Sequence, residues 1–216
     1  MVQNAAQIDL AFDTQPTGTN TLDVSVIVKN IRAGHSFPTD SPLRHLILLV
    51  KAEDRVGTEL IQVAGEHIPN WAGPGPISPT YIAQTLNGIG IQDYSGLPGK
   101  IFANLLVEEE TNLSPGMAYW NETKPASVNA VNGASSDTRL RPFVPDTSTY
   151  SFAMPDAGNI KVTVQLIYRY AFYDLVVWKE WFKPERADII VRKLECKGPP
   201  TDVTKIKCTQ VEPIVP

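Results

Sequence analysis

The chain has 216 residues, a net charge of −4 and 43% hydrophobic residues, enough for one large β-domain with an ordinary core. No run of Lys and Arg is present to neutralise phosphates, which argues against nucleic-acid binding. The longest apolar runs, such as Leu46–Val50, fall far short of the ~20 residues that cross a bilayer as a helix.

Met1–Asn4 leads almost directly into the first strand. No signal peptide precedes it, so the expectation is either a cytosolic chain or one whose leader and upstream domain have been removed. Gln7–Asp13 and Thr21–Asn30 alternate apolar and polar residues, the period of half-buried strands, with a turn at Pro16-Thr17-Gly18. Leu43–Ala52 is more continuously apolar, as expected of a strand buried on both faces. Asp54–Gly57 turns it into Glu59–Ala64, a predicted hairpin. Residues from about 65 to 100 are dense in Pro and Gly and read as an irregular insertion. Strands are predicted again at Ile101–Val107, Met117–Asn121, Thr149–Met154, Ile160–Ala171 and Ala187–Leu194, with a short amphipathic helix at Phe172–Phe182. Pro155–Asn159 supplies a hairpin turn. Eighteen prolines and 14 glycines punctuate the chain throughout. The pattern predicts an all-β fold, an antiparallel immunoglobulin-like β-sandwich with a long Gly/Pro-rich insertion. Residues 1–195 form a single domain in this reading, and 196–216 a C-terminal tail.

The two cysteines, Cys196 and Cys208, lie in that tail around Gly198-Pro199-Pro200. A disulfide closing this small loop would imply an oxidising compartment; two free thiols are the other reading.

Lys29–Leu60 carries the most information. It contains a break at Ala33-Gly34, the compact loop His35-Ser36-Phe37-Pro38-Thr39-Asp40, and a strand opening at Arg44. The G-H-x-F-P-T pattern, followed by an Arg and a buried strand, resembles the haem-free C-terminal β-sandwich domain of bacterial multihaem c-type cytochromes. Later segments follow the order of that family: Asp137-Thr138-Arg139-Leu140-Arg141-Pro142, of the type D-x-R-x-x-P, precedes a Thr-rich strand, and Tyr168-Arg169 ends the next one. Pro98-Gly99-Lys100-Ile101-Phe102 is similar to the start of the family's central strand. The match spans roughly Asp23–Val191. The chain departs from the family in having Asp40 where a Gly is usual. It also lacks C-x-x-C-H, so no haem attaches covalently to it. The resemblance implies a scaffold or docking domain whose haem resides only in a partner or an upstream domain.

His35 has two readings: a ligand to a neighbouring haem iron or another metal, or a structural residue that pins the loop to backbone groups. Phe37 and Pro38 read as packing groups. Asp40 and Arg44 are a candidate ion pair at the loop base. Arg169 is a candidate buried charge, and the family arrangement implies Asp137 as its partner. Glu108-Glu109-Glu110 with Asp93 and Asp137 offers oxygen ligands for calcium but matches no EF-hand loop, and reads as a solvated face. Trp71, Tyr81 and Trp120, within a wider aromatic group including Tyr94, are candidates for an interface or for stacking on sugars. No G-x-S-x-G nucleophile elbow is present, three histidines give few options for a Ser-His-Asp or Cys-His arrangement, and no sequence feature favours a carboxylate pair, whose spacing is spatial.

Two functions from different classes follow. The first is a non-enzymatic scaffold or interaction domain in a periplasmic or extracellular multihaem cytochrome electron-transfer system. The alternative is a secreted carbohydrate-binding module whose exposed aromatics meet a polysaccharide.

Overall fold

The computed structural model describes residues 5–15, 20–39, 41–69, 94–109, 123–125, 137–154, 158–172 and 188–211. Its strands are β1 (Ala6–Gln15), β2 (Thr21–Asn30), β3 (His45–Glu53), β4 (Gln62–Ala64), β5 (Gly99–Phe102), β6 (Leu106–Glu108), β7 (Thr123–Pro125), β8 (Pro145–Ala153), β9 (Ile160–Arg169), β10 (Ile189–Gly198) and β11 (Lys207–Val211). They form a β-sandwich. One sheet has the order β1-β2-β8-β4, the other β11-β10-β9-β3-β5, and β6-β7 is a separate ribbon. All ladder pairs are antiparallel.

The alternation read from the sequence builds the core. Leu22, Val24, Val26 and Val28 of β2 are completely buried, while the residues between them are half-exposed. Tyr150 and Phe152 of β8 lie on the same side and meet Leu46, Leu48 and Val50 of β3 and Val162, Val164 and Leu166 of β9. Each such side chain contributes about 1.5–3 kcal/mol by leaving water. Truncating one, as in Leu48→Ala, would cost about 2–5 kcal/mol because the cavity only partly closes.

The five-stranded sheet is covered on its second face as well. Ile47 of β3, Ile101 of β5 and Ile167 of β9 belong to a second apolar cluster with Ile68, Leu105 and Phe172. This is why β3 reads as continuously apolar rather than alternating.

Three local features differ from the sequence reading. The hairpin after β3 is only begun, by the Glu53–Glu59 bridge and the Leu60 N–H donating to the Ala52 carbonyl (2.9 Å). The chain then crosses over, and β4 pairs with β8 in the opposite sheet. Ile101–Val107 is not one strand, because Thr138 takes over its backbone. The Thr138 hydroxyl accepts from the Ala103 N–H (3.0 Å) and donates to the Ile101 carbonyl (3.0 Å).

Finally, residues beyond 195 are not a separate tail. β10 runs through Gly198, and β11 adds a fifth strand beside it. Cys196, fully buried, faces the exposed Cys208 in this ladder, and the two form a disulfide. Gly198 permits the return turn: a Cβ there would stand 2.7 Å from the Ile206 Cα.

Candidate functional site

Both sequence patterns converge at one end of the sandwich, and the residue that joins them is Asn30. As the last inward-facing position of β2 it is completely buried. A buried amide must find partners, and Asn30 finds three. Its Nδ2 donates to the carbonyls of His35 (2.8 Å) and Leu140 (3.3 Å). Its Oδ1 accepts from the Ala33 N–H (3.0 Å). The loop and the Asp137–Pro142 segment are thus tied to the same side chain. Phe37 and Leu140 add a reciprocal pair of backbone bonds, 2.9 and 2.8 Å.

Phe37 is buried and lies parallel to Tyr168, ring centroids 6.5 Å apart, so it anchors the loop to β9. Pro38 is buried beside it after a cis peptide bond. His35, in contrast, is exposed; its Nδ1 lies 3.3 Å from the Ser36 carbonyl. The pinning role expected of the His35 side chain belongs to Asn30, which acts on the His35 backbone. Arg44 is half-buried and its N–H donates to the Ser41 carbonyl (3.1 Å). Asp40 lies outside the described residues, and the Asp40–Arg44 pair with it.

The tied segment ends in an exposed turn. Phe143 has φ +62° and is 61% exposed, and its N–H donates to the Asn30 carbonyl (2.9 Å). A left-handed backbone costs a residue with a Cβ roughly 1–2 kcal/mol. Burial of the ring does not offset that cost. Val144 beside it is 52% exposed. An open groove of about 300 Å³ runs along this segment, lined by Lys100, Arg139, Arg141, Val144 and Asp146 among others. Lys100 is held by both oxygens of Asp146 (2.9 Å each).

A second polar cluster lies on the outer face of the five-stranded sheet. Arg169 ends β9 and is 1% exposed. The expected Asp137–Arg169 pair is replaced by Arg169–Asp188, a two-pronged contact with Nε to Oδ1 and Nη2 to Oδ2, both 2.8 Å. The register explains it. Ile189 pairs with Tyr168, which sets Asp188 opposite Arg169. Asp137 instead forks onto Arg139 two residues along, at 2.8 and 2.7 Å. These hydrogen bonds hold the Asp137 carboxyl below its usual range.

The Arg169 guanidinium sits over the Tyr94 ring (5.3 Å to the centroid), and Phe172 stacks on His45 (5.0 Å). His45 Nδ1 lies 3.0 Å from the Leu43 carbonyl, which assigns the proton to that nitrogen. Burial, reinforced by the charge of Arg169, pushes His45 down to about 3. Burial, and then the charge of Asp188, pushes Tyr94 up to about 12. Both groups are therefore neutral at ordinary pH, poorly matched to proton transfer there.

Tyr94 is folded into the second apolar cluster rather than displayed. Trp71, Tyr81 and Trp120 lie outside the described residues, as do Trp178, Trp181, Asp93 and Glu110. Among the described residues no group of three or more His, Cys, Asp or Glu is placed to hold a metal. No helix among them is long and apolar enough to cross a membrane.

No family model matches the chain, and no curated protein does. Among solved structures the fold is similar to that of a penta-heme cytochrome c552 from Thermochromatium tepidum. The TM-score is 0.54 at 18% identity, over 92% of this chain and 40% of that one. The likeness is one of fold. The chain spans two-fifths of the length of that cytochrome.

Proposed function

We propose that this sandwich is a non-enzymatic scaffold and interaction domain of a multihaem c-type cytochrome system, working in the periplasm or outside the cell. The observation that carries the reading is the likeness of 92% of the chain to 40% of a penta-heme cytochrome, met independently by the G-H-x-F-P-T and D-x-R-x-x-P patterns. The remaining length of that cytochrome leaves room for haem-bearing sequence. In this chain no C-x-x-C-H exists to attach one. Haem therefore belongs to a partner or to sequence joined to this domain.

The strand orders β1-β2-β8-β4 and β10-β9-β3 support an immunoglobulin-like arrangement. The Cys196–Cys208 disulfide supports an oxidising compartment. Among the described residues the buried His45 and Tyr94 are neutral at ordinary pH and do not support acid–base catalysis there. The carbohydrate reading rests on aromatics outside the described residues, and no observation favours it.

The test is to isolate the native protein from its source, without detergent or denaturant, and record its pyridine haemochrome spectrum. A c-type band in the same polypeptide, or in a stoichiometric partner, is the expected result. A colourless native protein with no haem-bearing partner would overturn the reading.

A further inference from the structure

Phe143 is placed against its own interest. It adopts a left-handed backbone conformation that glycine or asparagine would accept more readily. Its ring remains 61% exposed. A bulky outlier in such a position points to a function performed at that spot. The conformation is imposed from beneath: the Phe143 N–H is held by the Asn30 carbonyl, and Leu140 is bonded to both Asn30 and Phe37. The buried residues of the two motifs thus serve to hold an exposed turn in shape.

The charges around the turn are one-sided. Arg139 is neutralised by Asp137, and Lys100 by Asp146 with Glu66 nearby. Arg32 and Arg141 are exposed and form no salt bridge among the described residues. Lys29, opposite Pro145 in the β2–β8 ladder, lies on the same side. An otherwise acidic chain therefore presents an exposed aromatic residue beside two exposed arginines, neither of which is in a salt bridge among the described residues, with Arg141 also near the Asp137 carboxylate. A few cations suit a discrete acidic protein surface better than a polyphosphate, which requires many. Aromatic and Arg side chains are the groups that most often anchor such contacts.

We propose that the turn Arg139–Val144 is the surface through which this domain docks onto its haem-bearing partner. Phe143 enters an apolar recess there, and Arg32 and Arg141 meet Asp and Glu carboxylates around it. The inference rests on the multihaem reading above and names the contact face.

The experiment compares the native haem-bearing assembly with the isolated 216-residue chain. Hydroxyl-radical footprinting follows Phe143, and phenylglyoxal modification follows Arg141. Both are expected to label at least ~5-fold more slowly in the assembly. Phe143→Gly and Arg141→Glu, made in the isolated chain, are expected to leave its melting temperature unchanged or raise it in the glycine case. In the assembly each is expected to restore labelling at the other position to the rate of the isolated chain. A haem-bearing assembly whose Phe143 and Arg141 label as in the isolated chain overturns this inference alone. So does a melting temperature that falls by several degrees in Phe143→Gly, since the ring would then serve stability. A native protein without haem overturns the multihaem reading and this inference together.

Discussion

Asn30 and Arg169 are both buried polar residues at a strand end, but they do different things. Asn30 is neutral and serves backbone groups: two carbonyls and one N–H from two separate stretches of chain. What it supports is an exposed turn. Arg169 is charged and serves a side chain, Asp188, with its guanidinium over the Tyr94 ring. What it supports is the covered face of a sheet. The contrast shows that burial of a polar group does not by itself mark a functional centre. The useful question is what the group holds in place, and whether that thing faces solvent.

Removing half of the ionic pair gives the largest expected effect. Asp188→Ala leaves the Arg169 guanidinium without its buried carboxylate and should cost about 3–5 kcal/mol, measured by urea unfolding. Arg169→Met with Asp188→Leu removes both charges and should recover most of that loss. A double variant as unstable as the single one would show that the pair specifies the local geometry and does more than balance charge.

Asn30→Asp keeps the shape but cannot donate, so the carbonyls of His35 and Leu140 lose their amide partner. It should cost about 2–4 kcal/mol. It should also raise hydrogen exchange at the Phe37 and Leu140 amides, which Asp188→Ala should leave alone. Equal exchange in both variants would erase the distinction between the two regions.

The pH dependence separates them further. His45 is held at about 3 against an ordinary value of 6.5. Its folded form refuses a proton that the unfolded chain accepts. Its contribution to stability is therefore complete above about pH 6.5 and is lost as pH falls toward 3, at up to about 1.4 kcal/mol per pH unit. His45→Phe should flatten that slope, whereas Asn30→Asp should not. The smallest effect belongs to the half-exposed Asp137–Arg139 fork. Arg139→Ala should cost under about 1 kcal/mol, since solvent screens the pair.

The alternation of β2 and β9 was legible because one face of each strand is apolar. The sheet change at β4 was not, because two strands of opposite sheets can follow one turn with the same local sequence. β11 was missed for a plainer reason: Lys207–Gln210 is exposed and carries no apolar alternation. Asn30 left a readable signal. It continues the inward series Leu22, Val24, Val26 and Val28 with a polar side chain, and such a residue needs partners. His35, five residues further on, is the more reactive type, but its side chain is exposed. Asp188 was also within reach, at the start of the predicted last strand. Its register against Arg169 required knowing that β10 follows β9 in the sheet.

The central claim is that the end of the sandwich built by the two motifs faces a haem-bearing partner. Benzoylphenylalanine placed at Val144, beside the exposed turn, tests it against the same probe at Thr149, on the outer face of β8. After irradiation of the native assembly and peptide mapping, cross-links from position 144 to haem-bearing sequence are expected, with few from 149. Equal cross-linking from both positions, or cross-links from 144 only to sequence that carries no haem, would contradict it.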